Sequence, residues 1–311
     1  MLKYQKIALM GECMIELQDH DANTVFRKFA GDTLNTSVYL SRLADHDSHE
    51  IAYATALGVD RFSDQMCDFF RSEGIKTDLV QRSETHLPGI YYVDLDANGE
   101  RRFYYWRSQS AARYILSGQD WKQVLDQLLD YDLLYFSGIS LAILEDSGRD
   151  RLMDFLPRFK ASGGKIVFDN NYRPRLWPDR AKAQHFYQLC LEQTDLALLT
   201  ADDDFELWQD TDLNSLINRN RQYNINELVI KRGADPCLLI QGDSQQEVAA
   251  QRVDNVVDTN AAGDSFSAGY LSGWIKGDTP ENCARQGHFV ASQVIQHKGA
   301  IIPREINIKI S

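Results

Sequence analysis

The sequence predicts an α/β fold with a mostly parallel sheet, and three observations carry that expectation. Short apolar runs alternate with longer amphipathic stretches over most of the chain, the signature of βαβ units. No internal repeat or low-complexity tract interrupts the alternation. A single segment, 88–107, breaks the rhythm: two aromatic, β-type runs flank Asn98-Gly99, the strongest short-range hairpin signal.

Taken in order, the short apolar runs predict strands at 7–10, 51–56, 133–136, 165–169, 196–199, 227–231 and 237–241. The longer amphipathic stretches predict helices at 35–44, 61–73, 147–162, 181–193, 213–223, 262–276 and 281–297. The hairpin carries Tyr91, Tyr92, Phe103, Tyr104, Tyr105 and Trp106. Such rings must pack on something or project, so a flap covering a pocket is expected. An antiparallel edge on the main sheet is the alternative.

Bulk properties narrow the function. With 311 residues the chain holds one large α/β domain or two small ones. An apolar share of 43% and a charged share of 25% suit a soluble globular protein. The net charge of −12 excludes a nucleic-acid partner, which needs a basic footprint, and opposes binding to an anionic membrane. The cysteines, at 13, 67, 190, 237 and 283, are odd in number and never form a C-x-x-C pair. They point to a reducing compartment rather than to a disulfide or zinc framework. The first apolar run, 7–10, is too short for a signal core or a membrane span, so a cytoplasmic protein is expected.

Chemistry concentrates at Asp258-Thr-Asn-Ala-Ala-Gly-Asp264, which opens a helix rich in Ser, Ala and Gly. A helix start leaves about four N–H groups unpaired under a positive dipole end. Small residues let those groups approach a phosphate. Asp264 at that mouth can accept the proton of an attacking hydroxyl. An Asp-capped helix packed tightly on a sheet produces the same spacing. Neither G-x-x-x-x-G-K-[ST] nor G-x-G-x-x-G occurs, so the P-loop and dinucleotide readings have no motif.

This stretch resembles the second signature of the ribokinase-like PfkB carbohydrate kinases, Asp-Thr-x-Gly-Ala-Gly-Asp. The resemblance implies a single ribokinase-like domain over 1–311, a three-layer α/β/α fold with a mostly parallel central sheet. A small β lid would be built from parts of 12–30 and 88–107. It makes Ala261, Ala262 and Gly263 an anion hole and Asp264 the catalytic base. Ala261 stands where the family usually has Gly, and an Ala tolerates less of backbone space. The family's Gly-Gly-x-x-x-Asn element, which holds substrate hydroxyls, corresponds to Ala30-Gly31-Asp32-Thr33-Leu34-Asn35. Its nucleotide stretch resembles Lys231-Arg232-Gly233-Ala234-Asp235. The family's Asn-x-x-Glu motif, linked to magnesium, looks like Thr200-Ala-Asp-Asp203, where Asp203 would act through water while Asp202 and Asp204 remain alternatives. Mg2+ with ATP as co-substrate is thus implied, with K+ as a further ion in some relatives.

The acceptor is suggested by two arginines. A sugar acid, unlike a neutral sugar, needs a cation for its carboxylate. Arg107 ends the hairpin, and Arg173 follows the 165–169 strand in Phe168-Asp-Asn-Asn-Tyr-Arg-Pro-Arg. Arginine grips carboxylates through paired hydrogen bonds. Over its whole length the chain resembles the group within this family that acts on 2-keto-3-deoxy sugar acids at the terminal hydroxyl. Matching stretches include Gly11-Glu-Cys-Met-Ile-Glu-Leu17, Phe103-Tyr-Tyr-Trp-Arg107 and Gly299-Ala-Ile-Ile-Pro-Arg304. That resemblance places Gly31, Tyr105, Arg107, Arg173 and Asp264 on the acceptor, with Asp32, Asn35 and Tyr91 beside them. It turns Asn171 to Arg173, Lys231 to Asp235 and Ala261 to Asp264 toward ATP. The expected partners are a small sugar acid, ATP and further copies of the chain. A kinase for a neutral sugar or nucleoside, and a non-catalytic sugar-acid-binding regulator, are the competing readings.

Overall fold

A computed structural model describes residues 4–21, 23–95 and 101–309. The Asn98-Gly99 turn lies outside the described residues. In chain order the elements begin with β1 (Lys6–Met10), β2 (Met14–Asp19), β3 (Val25–Ala30), α1 (Asp32–Leu43), β4 (Glu50–Gly58), α2 (Arg61–Ser72), β5 (Val80–Ser83), β6 (Gly89–Leu95) and β7 (Arg101–Trp106). They continue with α3 (Trp121–Leu128), β8 (Leu133–Ser137), α4 (Gly138–Ile143), α5 (Asp146–Ala161), β9 (Lys165–Asp169), α6 (Arg180–Leu191), β10 (Leu196–Thr200), α7 (Ala201–Trp208) and α8 (Leu213–Arg221). The chain closes with β11 (Glu227–Arg232), β12 (Asp235–Gln241), β13 (Ser244–Val248), α9 (Ala262–Trp274) and α10 (Pro280–Val294).

The larger sheet has the order β13-β12-β11-β10-β9-β8-β1-β4-β5. From β11 to β5 its neighbours pair in parallel, and β12 and β13 join antiparallel. Strands buried on both faces read as continuous apolar runs, which is why Ile7–Met10 and Leu133–Phe136 are nearly solvent-free. Alternate residues of these strands feed two cores. Ala8, Leu134 and Phe168 pack with α3, α5 and α6 on one face; Leu9, Tyr135 and Val167 pack with α1, α2, α9 and α10 on the other. The chain steps outward from β1 to β4 and β5, then returns past β1 to β8 and runs on in the other direction through β9, β10 and β11. That reversal opens a crevice beyond the carboxyl ends of β1 and β8, where open α/β sheets place ligands.

The aromatic hairpin does not join the main sheet. It pairs with β2 and β3 in a separate four-stranded sheet of order β3-β2-β6-β7. The antiparallel-edge alternative is thereby set aside. Met14, Ala30, Tyr91 and Val93 of this small sheet cluster with Ala261 and Ala300, so its inner face rests on the loop before α9. Phe103, Tyr104, Tyr105 and Trp106 remain exposed.

Elements absent from the sequence expectation are instructive. β2 and β3 were expected only as lid segments, and β3 is mostly solvent-facing, without clean alternation. The helices α3, α4 and α7 are at most eight residues long, too short for a periodic signal. α1 begins at Asp32, earlier than the predicted start at 35, which brings Asp32 into its first turn.

Candidate active site

Every residue of the candidate site sits at a carboxyl end of a central strand, at the start of α1 or α9, or at the base of the small sheet. Many helices here are closed by side chains: Asp60 caps α2, Asp179 caps α6 and Thr279 caps α10. α1 and α9 have no side-chain cap. Their N-termini meet at the crevice, where Asn35 Nδ2 donates to Asp264 Oδ2 at 2.8 Å and the Thr36 hydroxyl donates to the Asp264 carbonyl at 3.3 Å. Asp264 therefore opens α9 beside the positive ends of two helices.

Burial governs its protonation. Asp264 is pushed up to about 8, first by loss of solvent and then by the nearby charges of Asp32 and Asp169; Asn35 and Lys231 oppose this. Asp32 is also raised, chiefly by burial, although hydrogen bonding from Ser137 counteracts it. Asp32 accepts from the Ser137 hydroxyl and from Asn171 Nδ2 at 3.0 Å. Asn171, expected on the nucleotide side, thus reaches the expected acceptor side as well. Its φ of 24° is positive, a conformation that Asn tolerates better than most residues.

Beneath these carboxylates lies a buried ion pair. Lys231 Nζ donates to Asp169 Oδ2 at 2.7 Å, and the Ser267 and Tyr135 hydroxyls donate to the same oxygen at 2.8 and 3.2 Å. A Cβ on Gly263 would lie 3.7 Å from Lys231 Nζ, so the ammonium sits directly under the expected anion loop. Beyond Lys231 the chain turns tightly. Gly233 and Ala234 form an exposed turn between β11 and β12, with Gly233 at φ 63°, and Asp235 is exposed at the start of β12. Arg232 points away, bound to the Pro236 carbonyl and to Glu247.

Ala261 adopts the left-handed conformation, φ 59° and ψ 16°. The Cβ there costs about 1–2 kcal/mol relative to a right-handed residue. Ala262 N bonds the Thr259 carbonyl at 3.2 Å, closing the turn that presents Gly263 and Asp264.

On the acceptor side stand the two expected arginines: the Arg107 guanidinium lies 5.8 Å from the Tyr105 ring centroid, and Arg173 lies within electrostatic reach of the Tyr105 hydroxyl. Burial raises the Tyr105 hydroxyl, and the charges of Arg107, Arg173 and Arg175 pull it back down. Each of the two already holds a protein carboxylate. Arg173 binds both oxygens of Asp203 at 3.1 Å, and Arg107 is paired with Glu12. Burial works against the Arg173 charge, but Asp203, Asp32 and Asp264 together raise its pKa. Asp203 is raised, mainly by burial and against the pull of Arg173. The neighbouring acids differ: Asp204 is buried against Arg219 and Asn170, and Asp202 is exposed. Tyr91 gives its hydroxyl to the buried Glu16 and packs near Tyr105, ring centroids 5.8 Å apart. Gly31 lies at the start of α1, where a Cβ would fall 2.0 Å from the Glu12 carbonyl. A cavity of about 470 Å³ lined by Leu43, His46, Ser272 and Lys276 lies at the far ends of α1 and α9 and contains none of these groups.

Sequence reasoning missed Glu12, Asp169, Ser137 and Ser267. Asp169 stood in a quoted stretch, but an Asp ending a strand looks like a turn residue until Lys231 is seen against it. Glu12 had a local signal, a lone acid directly after an apolar strand, which went unused.

A layered α/β fold with a half-buried carboxylate at an uncapped helix start, a lysine beneath it and a small sheet above it defines a ribokinase-like sugar kinase. The chain belongs to the pfkB family of carbohydrate kinases, whose pattern matches residues 4–307. It is 49% identical over 304 residues to a 2-dehydro-3-deoxygluconokinase of Escherichia coli K12, covering 97% of this chain and 98% of that one. It is 41% identical over 302 residues to a protein of the same name from Haemophilus influenzae, covering 96% of each. Among solved structures, a fructokinase with bound ATP from Xylella fastidiosa superposes with a TM-score of 0.81, at 24% identity and covering 95% and 93% of the two chains. That likeness concerns the fold. No helix among the described residues is long and apolar enough to cross a membrane, and all five cysteines are buried, with none in a disulfide.

Proposed function

We propose that the protein transfers the γ-phosphoryl group of ATP to the terminal hydroxyl of 2-dehydro-3-deoxy-D-gluconate, giving the 6-phosphate and ADP. The observation that carries this reading is the position of Asp264, held by Asn35 at the start of α9, with Arg107 beside the Tyr105 ring and Arg173 within electrostatic reach of Asp264. Asp264 takes the hydroxyl proton as the oxygen bonds to phosphorus and the bond to ADP breaks. A base whose pKa lies near the working pH suits that task. The N–H groups of Ala261 to Gly263 receive the charge on the transferring oxygens, with Lys231 beneath them. Asn171, Gly233, Ala234 and Asp235 line the nucleotide, and Gly31, Asp32, Asn35 and Tyr91 line the sugar. Arg107 and Arg173 face the carboxylate.

Among the described residues no cluster of three or more His, Cys, Asp or Glu could hold a metal ion. Mg2+ would arrive on the phosphates with its own waters, and Asp203 on the rim is the residue that would reach its hydration shell. When bound, Mg2+ neutralises charge on the phosphates. A K+ ion, used by some relatives, would lie in the loop beside Asp258. The exposed rings of the small sheet, Trp106 the most open at 62%, supply an apolar contact between copies of the chain. A cytoplasmic setting accords with five buried cysteines outside any disulfide. The test is ADP release with a panel of acceptors. Turnover of the keto acid is expected; turnover of ribose or fructose without it overturns the proposal.

A further inference from the structure

The small sheet is joined to the body by crossings that meet at one residue, Glu12, at its backbone carbonyl or its carboxylate. It lies between β1 and β2 and is 1% exposed. At the β3–α1 crossing, Gly31 lies so close that a Cβ would meet the Glu12 carbonyl at 2.0 Å. At the start of β6, a Cβ on Gly89 would lie 2.8 Å from Glu12 Oε1 and 3.2 Å from Arg107 Cβ. Directly after β7 stands Arg107, whose guanidinium pairs with Glu12. Apart from that pair, neither Glu12 oxygen has a hydrogen-bond partner among the described residues, and neither have Nε and one terminal nitrogen of Arg107.

A buried acid devoted to one arginine is costly unless it does something for that arginine. The Arg107 side chain is 10% exposed, with Nε and the Glu12-paired nitrogen enclosed, so the guanidinium is held from inside and its other terminal nitrogen is the donor left for a ligand. A guanidinium has enough donors to bridge two carboxylates. We infer that Glu12 is a positioning residue for acceptor-carboxylate recognition: it holds Arg107 from inside at the base of the small sheet so that the other terminal nitrogen meets the carboxylate of the incoming sugar acid. This rests on the sugar-acid reading above. Pre-orientation removes the rotamer freedom that a long side chain would otherwise lose on binding. Only acceptors with a carboxylate benefit.

The test compares Glu12→Gln with the unaltered protein on 2-dehydro-3-deoxygluconate and on 3-deoxyfructose, which has CH2OH in place of the carboxylate. Losing a charge-assisted contact should raise KM for the acid about 10- to 100-fold. The kcat, the KM for ATP and the KM for 3-deoxyfructose should stay within about twofold, as they do not involve the Arg107 contact. A merely structural role would weaken both acceptors and ATP together, and that result overturns the inference. So does an unchanged KM for the acid. If Glu12→Gln does not fold, Gly89→Ala provides the second arm, because its Cβ displaces the same pair; the same acid-selective rise is expected, and equal losses on both acceptors overturn the inference. Failure of the unaltered protein to turn over the acid is a separate outcome, which overturns the proposed acceptor instead.

Discussion

Asp264→Asn tests both the electrostatics and the chemistry of the crevice. In the ligand-free protein Asp264 is raised from 3.8 to about 8, by burial first and by Asp32 and Asp169 next. An unfolded Asp titrates near 3.9, so the shift is roughly four units, and at about 1.4 kcal/mol per unit it amounts to of order 5 kcal/mol. The sign follows from the direction of the shift. Between about pH 4 and pH 8 the folded chain keeps a proton that the unfolded chain has released. Stability from this group is complete below about pH 4 and is lost as pH rises through about 8. Asn keeps the shape and can still accept from Asn35, but it carries no titrating charge. Urea denaturation of the ligand-free proteins from pH 5 to 9 is the assay. The variant should lack most of the wild-type decline and exceed wild type at pH 8 by several kcal/mol, or about 10 °C in Tm. Its turnover should fall by roughly 10²–10⁴, the usual contribution of a general base. Identical pH profiles for the two proteins would refute the buried-carboxylate argument, and retained turnover would remove Asp264 as the base.

Three further outcomes are expected. Ala261→Gly removes a left-handed Cβ costing about 1–2 kcal/mol and adds unfolded-state freedom of about 0.5–1 kcal/mol, so thermal denaturation should show a net gain of about 0.5–1 kcal/mol; a loss would mean that the Ala261 methyl packing against Met14 and Tyr91 outweighs the strain. Lys231→Met leaves Asp169 without its cation in a site where both side chains are under 9% exposed, and should cost about 3–5 kcal/mol near neutral pH with a higher KM for ATP; urea titration and initial rates check both. Hydrogen exchange in β6 and β7 should slow when acceptor and nucleotide are bound together, because closure of the small sheet excludes water from the γ-phosphate; unchanged protection would leave that sheet a static wall.

The order of elements was legible because each depends on neighbours in sequence. β9 runs over Lys165–Asp169 as predicted, and α9 starts at Ala262 as predicted, since an apolar run and a helix start are local patterns. Asp264 was legible for the same reason: the small-residue loop and the acid that follows it lie within a few positions. The sheet holding the hairpin was not legible, because β2 and β3 pair with β6 through contacts distant in sequence and β3 has no buried face to advertise. α4 was missed because one short turn of apolar residues after β8 looks like more strand.

Partners of charge divide in the same way. By itself the sequence pointed to an acidic α/β kinase of the pfkB type, and it marked a small-residue loop, the acid that follows it and two arginines as the candidate site. Only the tertiary structure decided which charges meet: Glu12 on Arg107, Asp203 on Arg173 and Asp169 on Lys231 as ion pairs, and Asp32 and Asp169 as like charges that raise the pKa of Asp264. Ion pairing and pKa depend on distance and burial, and both are set by which strand ends the parallel sheet brings side by side, far apart though they lie along the chain.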